Sequence, residues 1–351
     1  MGATEKTELI INGAFFAQRL TGVQRFAYET LKRLATDPEL KIVVAVPENA
    51  VIPEENLGNC EFVRTGKFTG NLWEQWSLPR FCRKKKSPLL SMGSVAPVLY
   101  PSCLVLHDVI FKEDTSFKKT NASWVKKISA ITRLSIYRCK AVFTVSRFSA
   151  ERIKHFYPKL KKDPTVVPVG CEHVYGMKAE KVDNIPEKFW FTVGSANDNK
   201  NFRYILALAK NNPQKNFLVS GKPSEDYSRI IKEEGIKNCA FTGYVSDGAL
   251  KYLYERCEGF ILPSFYEGFG APPMEAIASG CRKIYLSDIP VFREVYGGCA
   301  TFFDPHDYKN TVNLEECAAT EEAAFEALLT RQSWENCAKI IADTVKQNKK
   351  N

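Results

Sequence analysis

Two glutamates, Glu267 and Glu275, are separated by seven residues in the stretch PSFYEGFGAPPMEAIASGC. A Gly-Phe-Gly turn leads into a predicted short helix that begins near the two prolines and ends at Gly280. Glu267 is then expected in the loop and Glu275 in the first helical turn. A helix start favours anions, because its backbone N–H groups lack intrahelical partners and the helix dipole is positive there. The stretch therefore predicts a phosphate-binding turn flanked by carboxylates.

Strand-like runs alternate with helical patterns along the whole chain of 351 residues. The predicted strands are ELIINGAFF, KIVVAVP, CLVLHDVIF, AVFTVS, KFWFTVGS, NFLVSGK, CAFTGYV, GFILPS, RKIYLSD and ATFFDP. Strand followed by helix, repeated, predicts parallel sheets, and the length exceeds one core. We predict an α/β fold of two doubly wound, Rossmann-like domains that face each other across a cleft. They would span residues 1–172 and 173–330, with a helix over 331–351 packing back on the first.

Polar and glycine-rich stretches follow the predicted strands, at the ends where doubly wound sheets bind ligands. Gly22 and Arg25 lie in the turn that starts the first long helix, and His107 ends a strand. In the second domain the corresponding residues are Ser195, Asn197, Lys200, Tyr244 and Val245, followed by the glutamate stretch. Each alone is explained by a turn, by packing or by a solvated side chain. Their common placement predicts a ligand site.

The composition is that of a soluble globular protein. No apolar run reaches the roughly 20 residues that span a bilayer, and the start MGATEKTELI lacks the apolar core of a signal peptide. These features predict a cytoplasmic protein. The eleven cysteines show neither a C-x-x-C pair nor zinc-ligand spacing, so we expect reduced thiols and no metal site.

The charge is distributed unevenly along the chain. Residues 1–175 hold 27 Lys and Arg against 16 Asp and Glu, a net of +11, whereas residues 176–351 hold 22 against 24, a net of −2. The basic excess is either a solvated face or a surface for an anionic membrane or polyanionic acceptor, which would place the protein peripherally on the inner face of the membrane. No recognised nucleic-acid motif accompanies the lysines, so nucleic acid is not an expected partner.

Four motifs together resemble the retaining GT-B glycosyltransferases of family 4, also called glycosyl transferase group 1. RLTGVQRFAYE resembles the family's N-terminal glycine loop, LVLHDV its histidine strand, VGSANDNKNF its lysine loop and PSFYEGFGAPPMEAIASG its E-x7-E signature. The E-x7-E signature is specific, and the resemblance covers nearly the whole chain. The resemblance implies transfer of a sugar from a nucleotide diphosphate sugar to a hydroxyl acceptor, with retention of the anomeric configuration.

The resemblance also assigns roles to residues. Glu267 would lie against the donor sugar, Glu275 would bind the nucleotide ribose, and Lys200 would neutralise the leaving diphosphate, while His107 would hold a sugar hydroxyl or the acceptor. His107, Lys200 and Glu267 are thus the expected catalytic residues. The expected substrate-binding residues are Gly22, Arg25, Ser195, Asn197, Tyr244, Val245, Gly268, Phe269, Gly270, Ala271 and Glu275. The diphosphate would rest on the backbone amides from Gly268 to Ala271.

One residue departs from the family pattern. The family often carries Arg-Lys in the lysine loop, whereas here Asn199 precedes Lys200, so one expected cation is missing. No D-x-D pair stands at a strand end to hold a divalent ion, which predicts metal-independent catalysis without a cofactor. The sequence leaves open a GDP-, UDP- or dTDP-linked donor. For the acceptor, family analogy suggests a glycan or a lipid-linked oligosaccharide of bacterial surface-polysaccharide assembly.

Two alternatives remain beside the transferase. The chain could be a catalytically inactive GT-B protein that binds a nucleotide sugar or acts as a partner subunit. It could also be a different GT-B enzyme, such as a nucleotide-sugar epimerase or a phosphorylase that uses pyridoxal phosphate. The presence of His107, Lys200 and both glutamates argues against the first, and the E-x7-E signature favours a transferase over the second.

Overall fold

The computed structural model describes residues 6–93, 95–113, 122–194, 198–316 and 320–350. It divides the chain into two compact units. Unit 1 combines the chain up to Glu113 with residues 122–170 and the final stretch from Ser333, and unit 2 contains Cys171–Gln332. Among the described residues, no helix has both the length and the apolar composition needed to cross a membrane.

Unit 1 is built on a parallel sheet of seven strands in the order β3-β2-β1-β4-β5-β6-β7. The strands are β1 (Thr7–Asn12), β2 (Leu40–Val46), β3 (Cys60–Arg64), β4 (Leu89–Ser91), β5 (Cys103–Val105), β6 (Ala141–Thr144) and β7 (Thr165–Val166). Strands β1 and β2 are almost wholly buried, as expected for a parallel sheet covered on both faces. The strand order reverses between β1 and β4, and this switch point is where such sheets bind ligands.

The helices of unit 1 follow its strands. They are α1 (Gly22–Leu34), α2 (Gly70–Leu72), α3 (Leu78–Lys85), α4 (Ala122–Ile136) and α5 (Arg147–Phe156). A π-helical turn over Trp73–Ser77 joins α2 to α3, so the backbone is helical from Gly70 to Lys85. Helix α1 begins at a capping box, in which the side chain of Gln24 accepts a hydrogen bond from the backbone N–H of Thr21.

Unit 2 repeats the same plan with six parallel strands in the order β10-β9-β8-β11-β12-β13. The strands are β8 (Trp190–Val193), β9 (Phe217–Ser220), β10 (Cys239–Gly243), β11 (Gly259–Leu262), β12 (Ile284–Ser287) and β13 (Thr301–Phe303). Its helices are α6 (Phe202–Asn211), α7 (Glu225–Glu233), α8 (Asp247–Arg256), α9 (Ala271–Ala278), α10 (Pro290–Tyr296) and α11 (Glu322–Arg331). The switch point here lies between β8 and β11.

The last helix, α12 (Trp334–Lys350), belongs to unit 1 and packs along α1. The ring of Trp334 meets that of Phe26 edge to face, with 5.5 Å between centroids. Further along, the ammonium of Lys346 lies 2.7 Å from the Asp37 carboxylate and 2.6 Å from that of Glu39. These contacts join both ends of the described chain into one core.

The predicted fold class, two doubly wound α/β domains, is confirmed. All ten predicted strands form, although several are shorter than their sequence runs. Three strands of unit 1 were not predicted: β3, β4 and β7. Strand β4 has only three residues and β7 only two, which is too short for a periodic pattern to reveal.

Candidate active site

The lysine loop follows β8 at the switch point of unit 2. Gly194 follows the strand with φ of +85°, and Lys200 lies in a short 3-10 turn over Asp198–Lys200. The stem of Lys200 runs directly beside Gly194, at van der Waals distance from where a Cβ would stand. Ser195 and Asn197, two predicted substrate-binding residues, lie outside the described residues.

Asn199 joins the lysine loop to the loop that carries the first glutamate. Its side-chain amide donates a hydrogen bond of 3.1 Å to the backbone carbonyl of Tyr266. The backbone carbonyl of Asn199 accepts a hydrogen bond of 2.8 Å from the N–H of Phe265. Asn199 occupies the position where the family often has an arginine. The structure therefore gives Asn199 a role in positioning the two loops. An arginine at this position would lack the short amide that makes this hydrogen bond.

Lys200 and Glu267 form an ion pair. The ammonium of Lys200 lies 2.7 Å from Oε1 of Glu267, and the hydroxyl of Ser264 donates to the same oxygen at 2.6 Å. The side chains are 16% and 11% exposed, so solvent screens the pair only in part. The two predicted catalytic residues of this unit thus contact each other, and the carboxylate is oriented by two donors.

The turn from Gly268 to Ala271 separates Glu267 from helix α9. Gly270 has φ of +88°, and a Cβ there would stand 2.5 Å from the ring of Phe292, so only glycine fits. Among the described residues, no backbone hydrogen bond is donated by the N–H groups of Phe269, Gly270 or Ala271. The next two helical residues are prolines, which have no N–H. Any anion at this helix start must therefore be held by the turn.

The structure corrects the predicted position of Glu275. Because α9 begins at Ala271, Glu275 is its fifth residue and lies beyond the first turn. The predicted end of the helix is confirmed: Gly280 has φ of +94°, and the N–H of Cys281 bonds to the carbonyl of Ala276 as in a Schellman cap. Glu275 is thus one turn away from the N–H groups it was expected to flank.

Two side chains from other elements contact Glu275. The hydroxyl of Tyr254, on α8, donates to Oε2 at 3.3 Å, and Nε2 of His173 lies 3.6 Å from Oε1. Burial, and then the neighbouring Glu275 carboxylate, raises the pKa of Tyr254 well above its usual value, so the hydroxyl remains a donor. Both oxygens of the second glutamate therefore have a neighbour that fixes their direction.

His173 was not predicted as a site residue. It lies in a 3-10 turn, Glu172–Val174, at the boundary between the two predicted domains. The ammonium of Lys251 holds this segment by donating to the carbonyls of Val174 at 3.0 Å and Met177 at 2.8 Å. His173 and Glu275 line one pocket of unit 2, together with Val174, Met177, Asp247, Leu250, Lys251 and Tyr254. Only the rarity of histidine in this chain could have drawn attention to it.

Tyr244 and Val245 follow strand β10 and precede helix α8. Strand β10 ends at Gly243 with φ of +71°, and the chain then turns toward Ser246, whose hydroxyl caps α8. Tyr244 is 59% exposed and Val245 is partly buried. Both lie at the carboxyl edge of the unit 2 sheet, as predicted.

The unit 1 candidates lie around the start of α1. Gly22 is the first residue of this helix, and Arg25 is on its first turn with its guanidinium 3.8 Å from the Glu29 carboxylate. The imidazole of His107 packs edge-on against Phe26, with 4.8 Å between ring centroids. The structure therefore brings His107 beside the second turn of α1.

His107 is held as a neutral base. Burial lowers the pKa of His107 to about 4, although a hydrogen bond between Nε2 and the Met92 carbonyl, at 3.2 Å, opposes the shift. At neutral pH the ring therefore carries no charge, and it suits a hydroxyl better than a phosphate.

The described residues contain no group of three or more His, Cys, Asp or Glu side chains that could hold a metal ion. The ten cysteines that the structure describes are free thiols, and most are buried.

A family model described as glycosyl transferases group 1 matches residues 177–313, which include the lysine loop, the turn and both glutamates. The serotype-specific mannosyltransferase WbdA of Escherichia coli is 24% identical, with 96% of this chain aligned to 44% of that protein. The chain thus spans less than half the length of this curated relative. The O-antigen chain mannosyltransferase B of Escherichia coli is 27% identical, over 91% of this chain and 94% of its own length.

Solved structures agree on the fold. Sucrose-phosphate synthase from Thermosynechococcus elongatus superposes with a TM-score of 0.74 at 13% identity, covering 98% of this chain and 99% of its own. Alr3699/HepE of Anabaena, in complex with UDP and glucose, gives 0.69 at 15% identity over 97% of this chain and 100% of its own. The chain therefore has the GT-B fold predicted from its motifs, and residues 177–313 match the family model of the glycosyl transferases of group 1.

Proposed function

We propose that this chain transfers a sugar from a nucleotide diphosphate sugar to a hydroxyl of a glycan or lipid-linked oligosaccharide in surface polysaccharide synthesis. The observation that carries the proposal is the Lys200–Glu267 pair beside the Gly268–Ala271 turn, within a segment of the matching family. A cation, a carboxylate and N–H donors at one switch point suit a sugar diphosphate. The cation and the N–H donors can stabilise negative charge on the diphosphate, and the carboxylate can stabilise positive charge on the sugar ring.

We propose a mannosyl donor. The support comes from the relatives, several of which are mannosyltransferases, two of them O-antigen chain enzymes that match most of their own length. The base of the nucleotide stays open between guanine, uracil and thymine. Glu275 is the candidate group for binding the ribose, since its carboxylate can accept hydrogen bonds from ribose hydroxyls.

The reaction breaks the bond between the anomeric carbon and the diphosphate oxygen. The bonding electrons leave with the diphosphate, the acceptor oxygen bonds to the anomeric carbon, and its proton is released. Negative charge therefore develops on the leaving group and positive charge on the sugar ring. Lys200 and the turn amides would stabilise the first charge. Glu267, oriented by Ser264 and Lys200, would position the sugar and stabilise the second.

Donor binding would compete for Lys200. The ammonium of Lys200 lies 2.7 Å from Glu267. It can therefore move only a short distance toward a phosphate oxygen of the donor if it is to stay within reach of the carboxylate. Asn199 supplies no charge, so the second phosphate charge would be met by the turn amides. His107, neutral at physiological pH, would hold a sugar or acceptor hydroxyl rather than donate a proton as an acid.

We further propose that the anomeric configuration is retained and that no metal ion takes part. Retention is tested by NMR of the product formed in a short incubation, in which a product of inverted configuration would contradict it. Metal independence is tested by transfer in the presence of excess EDTA, where full activity is expected and a loss restored by a divalent ion would refute it.

The main experiment offers the chain a panel of mannose, glucose and galactose donors on each nucleotide. Slow hydrolysis of one donor without an acceptor is expected, and Lys200→Met should abolish it. The control is Lys210→Met, whose lysine pairs with Glu234 on the surface of the same unit. Nucleotide binding without any turnover would instead support an inactive binding subunit, and absence of binding would refute both.

We also propose a peripheral position at an anionic membrane. The support is the net charge of +11 on residues 1–175 against −2 on the rest. Basic residues near anionic lipid each contribute attraction of about 1 kcal/mol, so reversible, salt-sensitive binding is expected.

A further inference from the structure

Three large apolar side chains form an exposed row on unit 1. Phe68, Leu72 and Trp76 are 44%, 66% and 50% exposed and follow one another at intervals of four residues. The helical backbone from Gly70 to Lys85 places Leu72 and Trp76 on one side, because residues four apart lie on the same face of a helix. We name Phe68, Leu72 and Trp76 the apolar ridge.

Other residues of the same helical segment anchor it in unit 1. Trp73, Leu78 and Cys82 are completely buried, and the indole of Trp73 donates to the Thr65 carbonyl at 2.6 Å. The segment therefore has two apolar faces, of which the core covers only one. An exposed second apolar face needs an explanation, because a single exposed apolar residue is ordinary but an aligned row is not.

Cations continue the row beyond Trp76. Arg80 is the next residue at the same spacing, and its guanidinium stacks 3.5 Å from the ring of Trp76. The helical segment ends in exposed basic residues: Arg83, Lys84 and Lys85, followed by Lys86. Glu74 is the one carboxylate between Phe68 and Lys86; it points inward, where Nδ2 of Asn12 donates to it at 2.8 Å.

The ridge lies near the carboxyl edge of the unit 1 sheet. Asn12, the partner of Glu74, ends strand β1 at the switch point. Gln75 binds the loop after β4, accepting from the N–H of Val98 at 2.9 Å and donating to the Ala96 carbonyl at 3.2 Å. The start of the helical segment is thus fixed at the sheet edge that also carries Gly22 and His107.

We propose that the apolar ridge inserts into the interfacial region of an anionic lipid membrane, with the basic end of the segment over the lipid headgroups. An amphipathic helix that presents aromatic and aliphatic residues beside cations, without an exposed carboxylate, matches this surface in both polarity and charge. Within residues 68–86 every exposed charged side chain is a cation, which favours an anionic surface. The inference rests on the membrane association proposed above and names the element that makes it.

The placement has a consequence for the acceptor. If the ridge enters the headgroup region, the sheet edge with Gly22 and His107 is held close to the membrane surface. A lipid-linked acceptor could then reach this edge without leaving the bilayer.

The test is co-sedimentation of the full chain with neutral vesicles of phosphatidylcholine and with anionic vesicles that also contain phosphatidylglycerol. Wild type is expected to bind the anionic vesicles. Leu72→Ser/Trp76→Ser should lower the partition coefficient about tenfold or more, since two large apolar side chains no longer enter the interface. The matched control is Val51→Ser, a residue of the same unit that is 79% exposed and outside the ridge; it should bind as wild type does.

Each outcome decides a different question. Equal binding by wild type and the ridge variant would refute insertion, while leaving the electrostatic association and the transferase untouched. No binding of wild type to either vesicle would refute both the insertion and the membrane association, and would favour a protein partner for the ridge. Donor hydrolysis by the ridge variant should equal that of wild type, because hydrolysis needs no membrane; unchanged melting temperature verifies its fold.

Discussion

The two units of this chain share one strand order but differ in how their candidate site residues are held. In unit 2, Lys200 and Glu267 contact each other, and Glu275 has Tyr254 and His173 as neighbours. In unit 1, Gly22 offers only backbone, Arg25 lies near a glutamate of its own helix, and His107 is neutral. The site in unit 2 is charged and mutually oriented, whereas that in unit 1 is mostly uncharged.

This difference follows from the chemistry that each unit is proposed to perform. A leaving diphosphate gains negative charge, so its site benefits from a cation and N–H donors that are oriented before the reaction. A hydroxyl acceptor is neutral, and a neutral imidazole can bind it without the cost of desolvating a charge. The comparison therefore predicts large effects on catalysis from unit 2 and smaller effects from unit 1.

The largest effect is expected from breaking the Lys200–Glu267 pair. Lys200→Met or Glu267→Gln should each reduce transfer by roughly a hundredfold or more, as for other groups that stabilise transition-state charge. Because each leaves a mostly buried partner unpaired, each should also lower the free energy of unfolding by about 1 kcal/mol. Transfer rates and urea denaturation measure the two effects separately.

The double variant Lys200→Met/Glu267→Gln sharpens this prediction. It leaves no unpaired charge, so it should regain most of the lost stability while transfer stays as low as in the single variants. Lys210→Met, at an exposed pair, serves as the control and should change neither quantity. If the double variant recovers transfer, the pair is structural and the proposed roles are wrong.

The sequence predicted the fold class and the loops that carry the charged residues. Lys200, Glu267 and the glycine turn all follow strands with clear patterns, and their spacing forms a recognisable motif. The sequence could not reveal that Lys200 and Glu267 bind each other, because they are 67 residues apart and meet only once β8 and β11 pair. Nor could it reveal why Asn199 replaces a cation, since its carbonyl partner belongs to the glutamate loop.

The position of Glu275 was predicted wrongly and His173 was missed, both for physical reasons. The prolines predicted a helix that begins near Pro272 and Pro273, but Gly270 turns the chain earlier and Ala271 becomes the first helical residue. Glu275 was therefore predicted in the first turn, whereas it is the fifth residue of the helix. His173 was overlooked because it lies between strands in a segment without periodicity, which Lys251 helps to hold near Glu275 through the carbonyls of Val174 and Met177.

Glu275 tests whether the second glutamate binds the nucleotide. Glu275→Ala should weaken nucleotide binding by about 1 to 3 kcal/mol, the usual value for a charge-assisted hydrogen bond. Calorimetry with the free nucleotides measures this loss. Tyr254→Phe, which removes one donor to the carboxylate, should give a smaller loss in the same direction. Unchanged affinity in Glu275→Ala would remove the ribose role and weaken the contrast between the units.

The pH dependence of the free energy of unfolding tests whether His107 of unit 1 is held neutral. Its folded pKa of about 4 lies below the unfolded value, so the unfolded state binds more protons as pH falls. The stabilisation is complete above the unfolded pKa and is lost as pH falls toward the folded one, by about 2 kcal/mol between pH 7 and roughly pH 4.5. In His107→Gln this part of the acid destabilisation should be absent. Denaturation curves that keep the same pH slope would show that the ring is not held neutral.

The smallest effect is expected at His173, and it distinguishes positioning from bulk structure. His173→Ala removes the neighbour of Oε1 but leaves Tyr254 on Oε2, so Glu275 should be less well oriented rather than lost. A polar contact at 3.6 Å contributes at most about 1 kcal/mol, which corresponds to roughly fivefold in affinity. We therefore expect KM for the donor to rise about fivefold while kcat stays near wild type, since the Lys200–Glu267 pair is untouched.

His173→Gln should restore part of the loss, because its amide can donate to the carboxylate. His155→Gln, at an exposed histidine of unit 1, is the control. A fall in kcat at constant KM would mean that His173 acts on the reaction itself, and the separation between nucleotide binding and catalysis within unit 2 would have to be abandoned.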